Sequence, residues 1–392
     1  MMGKRANTTK IVAKANGYLV LNTIRESEMV TVEGLIQSTG LSRPTVLKIL
    51  KEFMEKGLVN KAGYAENEVG RLPTLYSLNL DEYFAIGIDI DGPPVYIAVS
   101  DLSGKLLYSE KFELDIDSSI EEIKDTLIEN INGVIQTIGI EAKNIIGIGV
   151  GLPASINNAK GEAVMVSRLK ALIGQPIGKM LSEELGISVM IQNDAHLIGI
   201  AEKRMRKEKD DVLCIVERSG IGMAIIIDDS IFDGGSGNAG FIGHITMDMN
   251  GRLCACGKRG CLEALSSKRA IREIYLERTG ERLGYRQVLK KASEHDEVAM
   301  EVCREAGRYL GIGIANIVKT LDIKTVIISD ICCDEKHIFF KSIAQGMKEY
   351  IVPFFDKPVK LSAGKLKEEE MALGGCHYVI DGFFDSPQLI LK

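Results

Sequence analysis

Residues 244–263 read HITMDMNGRLCACGKRGCLE, which places one histidine and three cysteines within eighteen positions, with glycines between them. Four ligands for one ion would force the intervening loop to wrap around it, so this stretch restricts the chain more than any other. His244, Cys254, Cys256 and Cys261 offer one imidazole and three thiolates, a donor set suited to tetrahedral Zn²⁺ without redox chemistry. Four strong ligands leave no position for water, so the expected cofactor is one structural zinc per chain rather than a catalytic metal. Gly251, Gly257 and Gly260 suit the left-handed turns that such wrapping requires. The plainer alternative is three reduced cysteines that share a surface loop and hold nothing.

The other cysteines, Cys214, Cys303, Cys332, Cys333 and Cys376, read as small apolar residues. Eight cysteines in 392 residues are too few for a disulfide scaffold and point to a reducing compartment. No run of eighteen apolar residues occurs, and the start MMGKRANTTK has no apolar core of a signal peptide. A cytoplasmic protein with no membrane partner is expected. The length allows two or three domains.

Charge is unevenly spread. Residues 1–79 carry eleven Lys and Arg against seven Asp and Glu, a balance of +4 in a chain of net charge −6. A basic head on an acidic body hints at nucleic acid. From Val30 the sequence VTVEGLIQSTGLSRPTVLKILKEFMEKGLV shows helical spacing at Val32, Leu35 and Ile36, a break at STG, and a second helical stripe at Val46, Ile49, Leu50 and Phe53. Ser42 is placed as the N-cap of the second helix, with Pro44 in its first turn. Arg43, Thr45, Lys48 and Lys51 remain on the outer side. A strand from Leu58, a polar loop containing Arg71 and a second strand at LYSL complete a winged helix-turn-helix. Ser42, Arg43, Thr45 and Lys48 are then candidates for the major groove and Arg71 for a minor groove. A plain two-helix hairpin with a solvated basic face is the alternative.

Beyond residue 84, strands and helices alternate. FAIGIDIDGPPVYIAVS and KLLYSEKFEL read as strands, Ile120–Ile138 as a helix, and IIGIGVGLPASI as another strand. A helix near Ile177–Leu185 follows, then the strand SVMIQNDAH. The pattern restarts about 125 residues on at DVLCIVERSGIGMAIIIDDSIF, which suggests two α/β lobes with a ligand cleft between them.

The segments GLSRPTVLKILKEFMEKGLV and VGRLPTLYSLN resemble the regulator head of the ROK family (repressors, open reading frames and sugar kinases). IQNDAH, SGIGMAIII, GNAGFIGH and CACGKRGCLE resemble its body, in the expected order. The resemblance implies an α/β chain with an N-terminal winged helix-turn-helix followed by a two-lobed actin-like fold (ribonuclease H-like, hexokinase-type). The expected domains are the head at 1–80, a first lobe at 81–195 and a second at 196–392, whose last helix can pack back on the first lobe.

A family kinase carries a phosphate loop of the form DxGGT. Here residues 89–94 read DIDGPP, and Pro93 and Pro94 remove two backbone donors. SGIG keeps its glycines but follows Glu217 and Arg218, and IISDICC puts Ser329 and Asp330 where family backbone lies against adenine. Phosphoryl transfer is therefore not expected, and neither is any other enzymatic activity.

The resemblance also assigns a sugar pocket. Asn193 and Asp194 would meet sugar hydroxyls, although Asp194 could instead cap the next helix. His244 and Glu263 would contact the same sugar from the edges of the zinc loop. Phe241 replaces the glutamate of the family's AGEIGH, and losing a buried acceptor costs an ordinary sugar about 1–3 kcal/mol.

The expected function is a DNA-binding transcriptional regulator, most simply a repressor of carbohydrate-utilisation genes. Its expected partners are operator DNA, a sugar or sugar-derivative effector, and a second copy in a homodimer or dimer of dimers. An active sugar kinase with a regulatory head, and an effector-blind DNA-binding protein that dimerises through its body, are the alternatives.

Overall fold

The computed structural model describes residues 2–65, 72–157, 161–166, 168–218, 220–329, 334–352 and 358–385, with side chains from residue 12 onward. Arg71, Ser219, Asp330, Cys332 and Cys333 lie outside the described residues.

The head opens with a helix that the sequence reading did not anticipate, Met2–Ser27, whose Val20, Leu21 and Ile24 are buried. Thr31 then caps the helix Val32–Thr39 by accepting the Gly34 N–H at 3.1 Å, and Gly40 closes it in the left-handed region at φ 67°. The helix Arg43–Glu55 buries Val46, Ile49, Leu50 and Phe53 against the first two helices. Ser42 occupies its N-cap position with an extended backbone, but its hydroxyl bonds that of Thr45 at 2.8 Å and caps no backbone N–H, contrary to expectation. The strands Val59–Tyr64 and Thr74–Leu78 pair antiparallel, and Val30–Thr31 adds a third strand beside the latter.

The body contains two five-stranded sheets of identical topology. The first runs Val189–Asn193, Ile145–Leu152, Phe84–Asp89, Val95–Asp101, Leu106–Phe112. Its first three strands are parallel, Val95–Asp101 runs antiparallel to them, and Leu106–Phe112 turns back to their direction. The second runs Ser230–Ile231, Ile221–Ile227, Val212–Glu217, Thr325–Ser329, Lys360–Ala363, with the same directions read from the other end. Numbered within each lobe the order is 3-2-1-4-5, so the lobes are a structural repeat. The helices Ile120–Ile138 and Ile177–Leu185 lie where their apolar spacing puts them. Ile123, Leu127, Ile131 and Val134 of the former pack on Ile86, Ile88, Ile97 and Val99 of the first sheet.

Two helices cross between the lobes. Asp194–Met205 packs on both sheets, and Leu373–Asp385 returns to the first sheet and lies directly on it. The second contact depends on missing side chains. A methyl group at Gly87 would lie 1.9 Å from the Ala372 carbonyl oxygen, and one at Gly375 would lie 2.3 Å from that of Gly149. The C-terminal helix also carries the joint to the head: Asp381 accepts from Arg25 at 2.8 Å and from Arg204, and Asn22 donates to the Phe384 carbonyl at 3.1 Å. The Arg25 guanidinium lies 4.5 Å from the Phe384 ring centre.

Gly87→Ala is expected to lower unfolding free energy by about 1–3 kcal/mol through overpacking. Gly133→Ala, in the interior of Ile120–Ile138 with open space around it, is expected to leave stability unchanged or raise it by up to about 1 kcal/mol. Urea unfolding of the two variants checks the contrast.

Candidate functional site

A cleft of about 480 Å³ opens between the lobes, and Asn193, Asp194, Phe241, His244 and Glu263 all line it. Strand Val189–Asn193 delivers the first two at its C-terminal end, where the next helix begins. Asn193, not Asp194, is the helix cap: its side-chain oxygen accepts the His196 N–H at 3.3 Å, while its amide donates to the Ala154 carbonyl at 3.0 Å. The cap alternative weighed for Asp194 is therefore taken by its neighbour. Asn193 is largely committed to the fold, and Asp194 is the residue presented to the cleft.

Asp194 is not an isolated acceptor. Arg218 approaches it at 3.5 Å and also makes a two-pronged bond to Asp89, at 2.8 and 2.7 Å. Burial pushes the Asp194 carboxyl up to about 7, the Arg218 guanidinium pulls it down, and Asp91 and Asp89 push it up further. The sequence reading treated Arg218 only as a departure in the loop before SGIG. A basic residue beside glycines that approach a phosphate was the available signal, but its three acidic partners lie far away in sequence. Arg168 and Arg269, also missed, line the same cleft.

The opposite wall is the cysteine loop. The donor atoms of His244, Cys254, Cys256 and Cys261 all lie within 4.8 Å of one another. Cys254 Sγ is 3.8 Å from His244 Nδ1, and Cys256 Sγ is 3.6 Å from Cys261 Sγ. Tetrahedral zinc with Zn–S bonds of about 2.3 Å separates its ligand atoms by about 3.7 Å, so the group fits such an ion. Gly257 and Gly260 have φ 83° and 70°, and a methyl at Gly260 would lie 1.4 Å from the Asp248 carbonyl oxygen. Gly251 is not in the left-handed region; it packs against Gly260 instead. His244 follows Phe241 in the short turn Ile242–His244, and the two rings stack at 17° with centres 6.3 Å apart. Phe241 therefore presents a partly exposed aromatic face where a carboxylate was replaced.

The residues that the resemblance assigns to a nucleotide are engaged within the chain or lack a donor. Asp89 is occupied by Arg218, and Pro93 and Pro94 offer no N–H. Ser329 is fully buried and donates to Glu202 at 2.7 Å, where adenine would need open backbone. Cys214, Cys303 and Cys376 are buried among apolar side chains.

A winged-helix head on two ribonuclease H-like sheets with a cleft between them defines a regulator built on a sugar-kinase body. The ROK family profile matches residues 85–381, and the chain belongs to that family. It is similar to the xylose repressor of Caldicellulosiruptor bescii, with 26% identity over 96% of this chain and 98% of the relative. Among solved structures it is similar to a ROK family transcriptional regulator, a homologue of the Escherichia coli MLC protein. The TM-score is 0.83, with 23% identity over 97% of this chain and 98% of the other. A ROK hexokinase from Thermus thermophilus matches at TM-score 0.64, with 24% identity over 75% of this chain and 96% of the enzyme. The structural likenesses establish the fold.

The raised Asp194 pKa has a consequence for stability. The native state holds this proton more tightly than the unfolded chain, so the associated stability is full below the ordinary carboxylate range and is lost as pH rises through about 7. Asp194→Asn, which does not titrate, is expected to gain stability relative to the parent from pH 4 to pH 7 and to hold that gain at pH 8. Urea unfolding across this range measures it, and a constant difference between the two proteins would contradict the reading.

Proposed function

We propose that the protein is a DNA-binding transcriptional repressor of carbohydrate-utilisation genes that responds to a sugar or sugar derivative in the inter-lobe cleft. The carrying observation is the exposed face of Arg43–Glu55: Arg43 and Lys48 project to solvent beside Ser42 and Thr45, on a winged head fastened to the body. In the free chain Arg43 pairs with Glu33 of the preceding helix. Arg71, outside the described residues, is assigned to the same interface under this reading. The similarity to a xylose repressor over nearly the whole chain supports the assignment.

Residues 1–80 form the DNA-binding domain, and 81–195 and 196–392 form the two lobes. The protein acts as a homodimer or dimer of dimers on a two-fold operator. It works in the cytoplasm, where its DNA is; among the described residues no helix is long and apolar enough to cross a membrane. Asp194 accepts a ligand hydroxyl, Phe241 stacks on the ligand's apolar face, and Glu263 with the second ring nitrogen of His244 orients it. The cysteine loop holds one structural zinc that fixes that wall. The chain is not a kinase, a reading supported by the fit of Arg218 and Ser329 described above.

Operator affinity is expected to fall steeply with salt, with a slope of about −0.9 per neutralised phosphate in log K against log salt. The triple variant Arg43→Ala, Lys48→Ala, Arg71→Ala should lose operator binding in fluorescence anisotropy while its circular dichroism is unchanged; normal binding by this variant would refute the interface. Elemental analysis should find one zinc per chain, falling below half an equivalent in Cys261→Ser.

A further inference from the structure

Four charges meet where the two sheets face each other. Arg218 follows the strand Val212–Glu217 of the second sheet, and Asp89 ends the strand Phe84–Asp89 of the first. The guanidinium Nη1 and Nη2 reach the two Asp89 oxygens at 2.8 and 2.7 Å. Nε lies 3.4 Å from Asp91, and Nη1 lies 3.5 Å from Asp194. The side chains are between 5% and 17% exposed, so solvent screens these charges little.

Three carboxylates from two chain segments converge on one monocation, and without it they would face one another in a poorly hydrated site. Carboxylate oxygens gathered in this way are the ligand set of a hard divalent cation. Pro93 and Pro94, which offer no N–H, follow the two acidic residues Asp89 and Asp91 in sequence. We infer that Arg218 is a built-in counter-ion, a positioning residue that occupies the place a divalent cation would take between Asp89, Asp91 and Asp194. It ties the two lobes together and holds Asp194 at the floor of the cleft, so the ligand pocket is formed without a divalent cation there. The inference goes beyond the regulator reading and is independent of it, because its test needs neither DNA nor sugar.

The test is Mn²⁺ uptake by the zinc-loaded full chain, followed as loss of the free-ion electron paramagnetic resonance signal. The parent protein and Arg218→Lys, which keeps a cation at the site, are expected to take up no Mn²⁺. Arg218→Gln and Arg218→Ala are each expected to take up one equivalent, and adding Asp91→Asn to either should abolish it. Folded variants without uptake, uptake by the parent equal to theirs, or uptake unaffected by Asp91→Asn would each overturn the inference. If both variants are unfolded in the absence of metal, recovery of native circular dichroism on adding Mn²⁺ supports it, and no recovery counts against it.

Discussion

The body is organised around a helix with almost no free side. Asp194 through Lys203 are all buried, because Asp194–Met205 is packed on the second sheet and under the C-terminal helix at once. Its contacts are close enough that a methyl at Gly199 would lie 2.3 Å from Ala224 Cβ, and one at Gly374 would lie 2.1 Å from the Leu197 carbonyl oxygen. Packing at that density makes the helix a rigid strut. One end of it presents Asp194 to the cleft. Near the other end Arg204 shares Asp381 with Arg25 of the first helix in the head. This buried helix and Asp381, together with the contacts of Asn22 and Arg25 to Phe384, connect the pocket to the head.

The polar groups inside this frame are charged side chains held between and within the two lobes. Burying an ion pair is expensive unless its geometry is good and the remaining lone pairs are satisfied. Arg218 meets that condition by engaging Asp89 with two prongs. Glu202, fully buried, meets it by accepting from Ser329, from the Lys365 and Leu366 backbone N–H groups and from Arg206. Each cluster commits its groups to holding the lobes and strands together. Asp194, Phe241, His244 and Glu263 still border open space.

Much of this was legible in the linear sequence. The stripe Val46, Ile49, Leu50, Phe53 marked a helix because periodicity is local, and the helices Ile120–Ile138 and Ile177–Leu185 were read in the same way. The cysteine loop was legible because all four donors fall within eighteen residues, so covalent connection alone brings them close. The helix Met2–Ser27 was missed, since among its described side chains Val20, Leu21 and Ile24 near its end are the ones that reach the core, too few to mark a stripe. The cap at Asn193 was considered only for its neighbour, as an alternative to ligand binding. Which of two adjacent polar residues caps a helix depends on where the strand ends, and the periodic pattern does not locate that to one residue.

The sequence by itself determined the helix-turn-helix and the four-donor loop, because each follows from spacing within about twenty residues, and the two α/β lobes, because the same strand-and-helix pattern restarts along the chain. Tertiary structure decided what each charged residue does. Arg218 became a counter-ion only when the second sheet was placed against the first, more than a hundred residues away in sequence from Asp89. Arg25 and Arg204 became partners only when the C-terminal helix brought Asp381 between them. Charges act through space, and burial makes those acts strong, so their roles are fixed by the fold rather than by their neighbours along the chain. The same holds for the loop HITMDMNGRLCACGKRGCLE: its four donors were visible in the sequence, but its position as one wall of the cleft, with Phe241 stacked on His244, was set by the packing of the lobes.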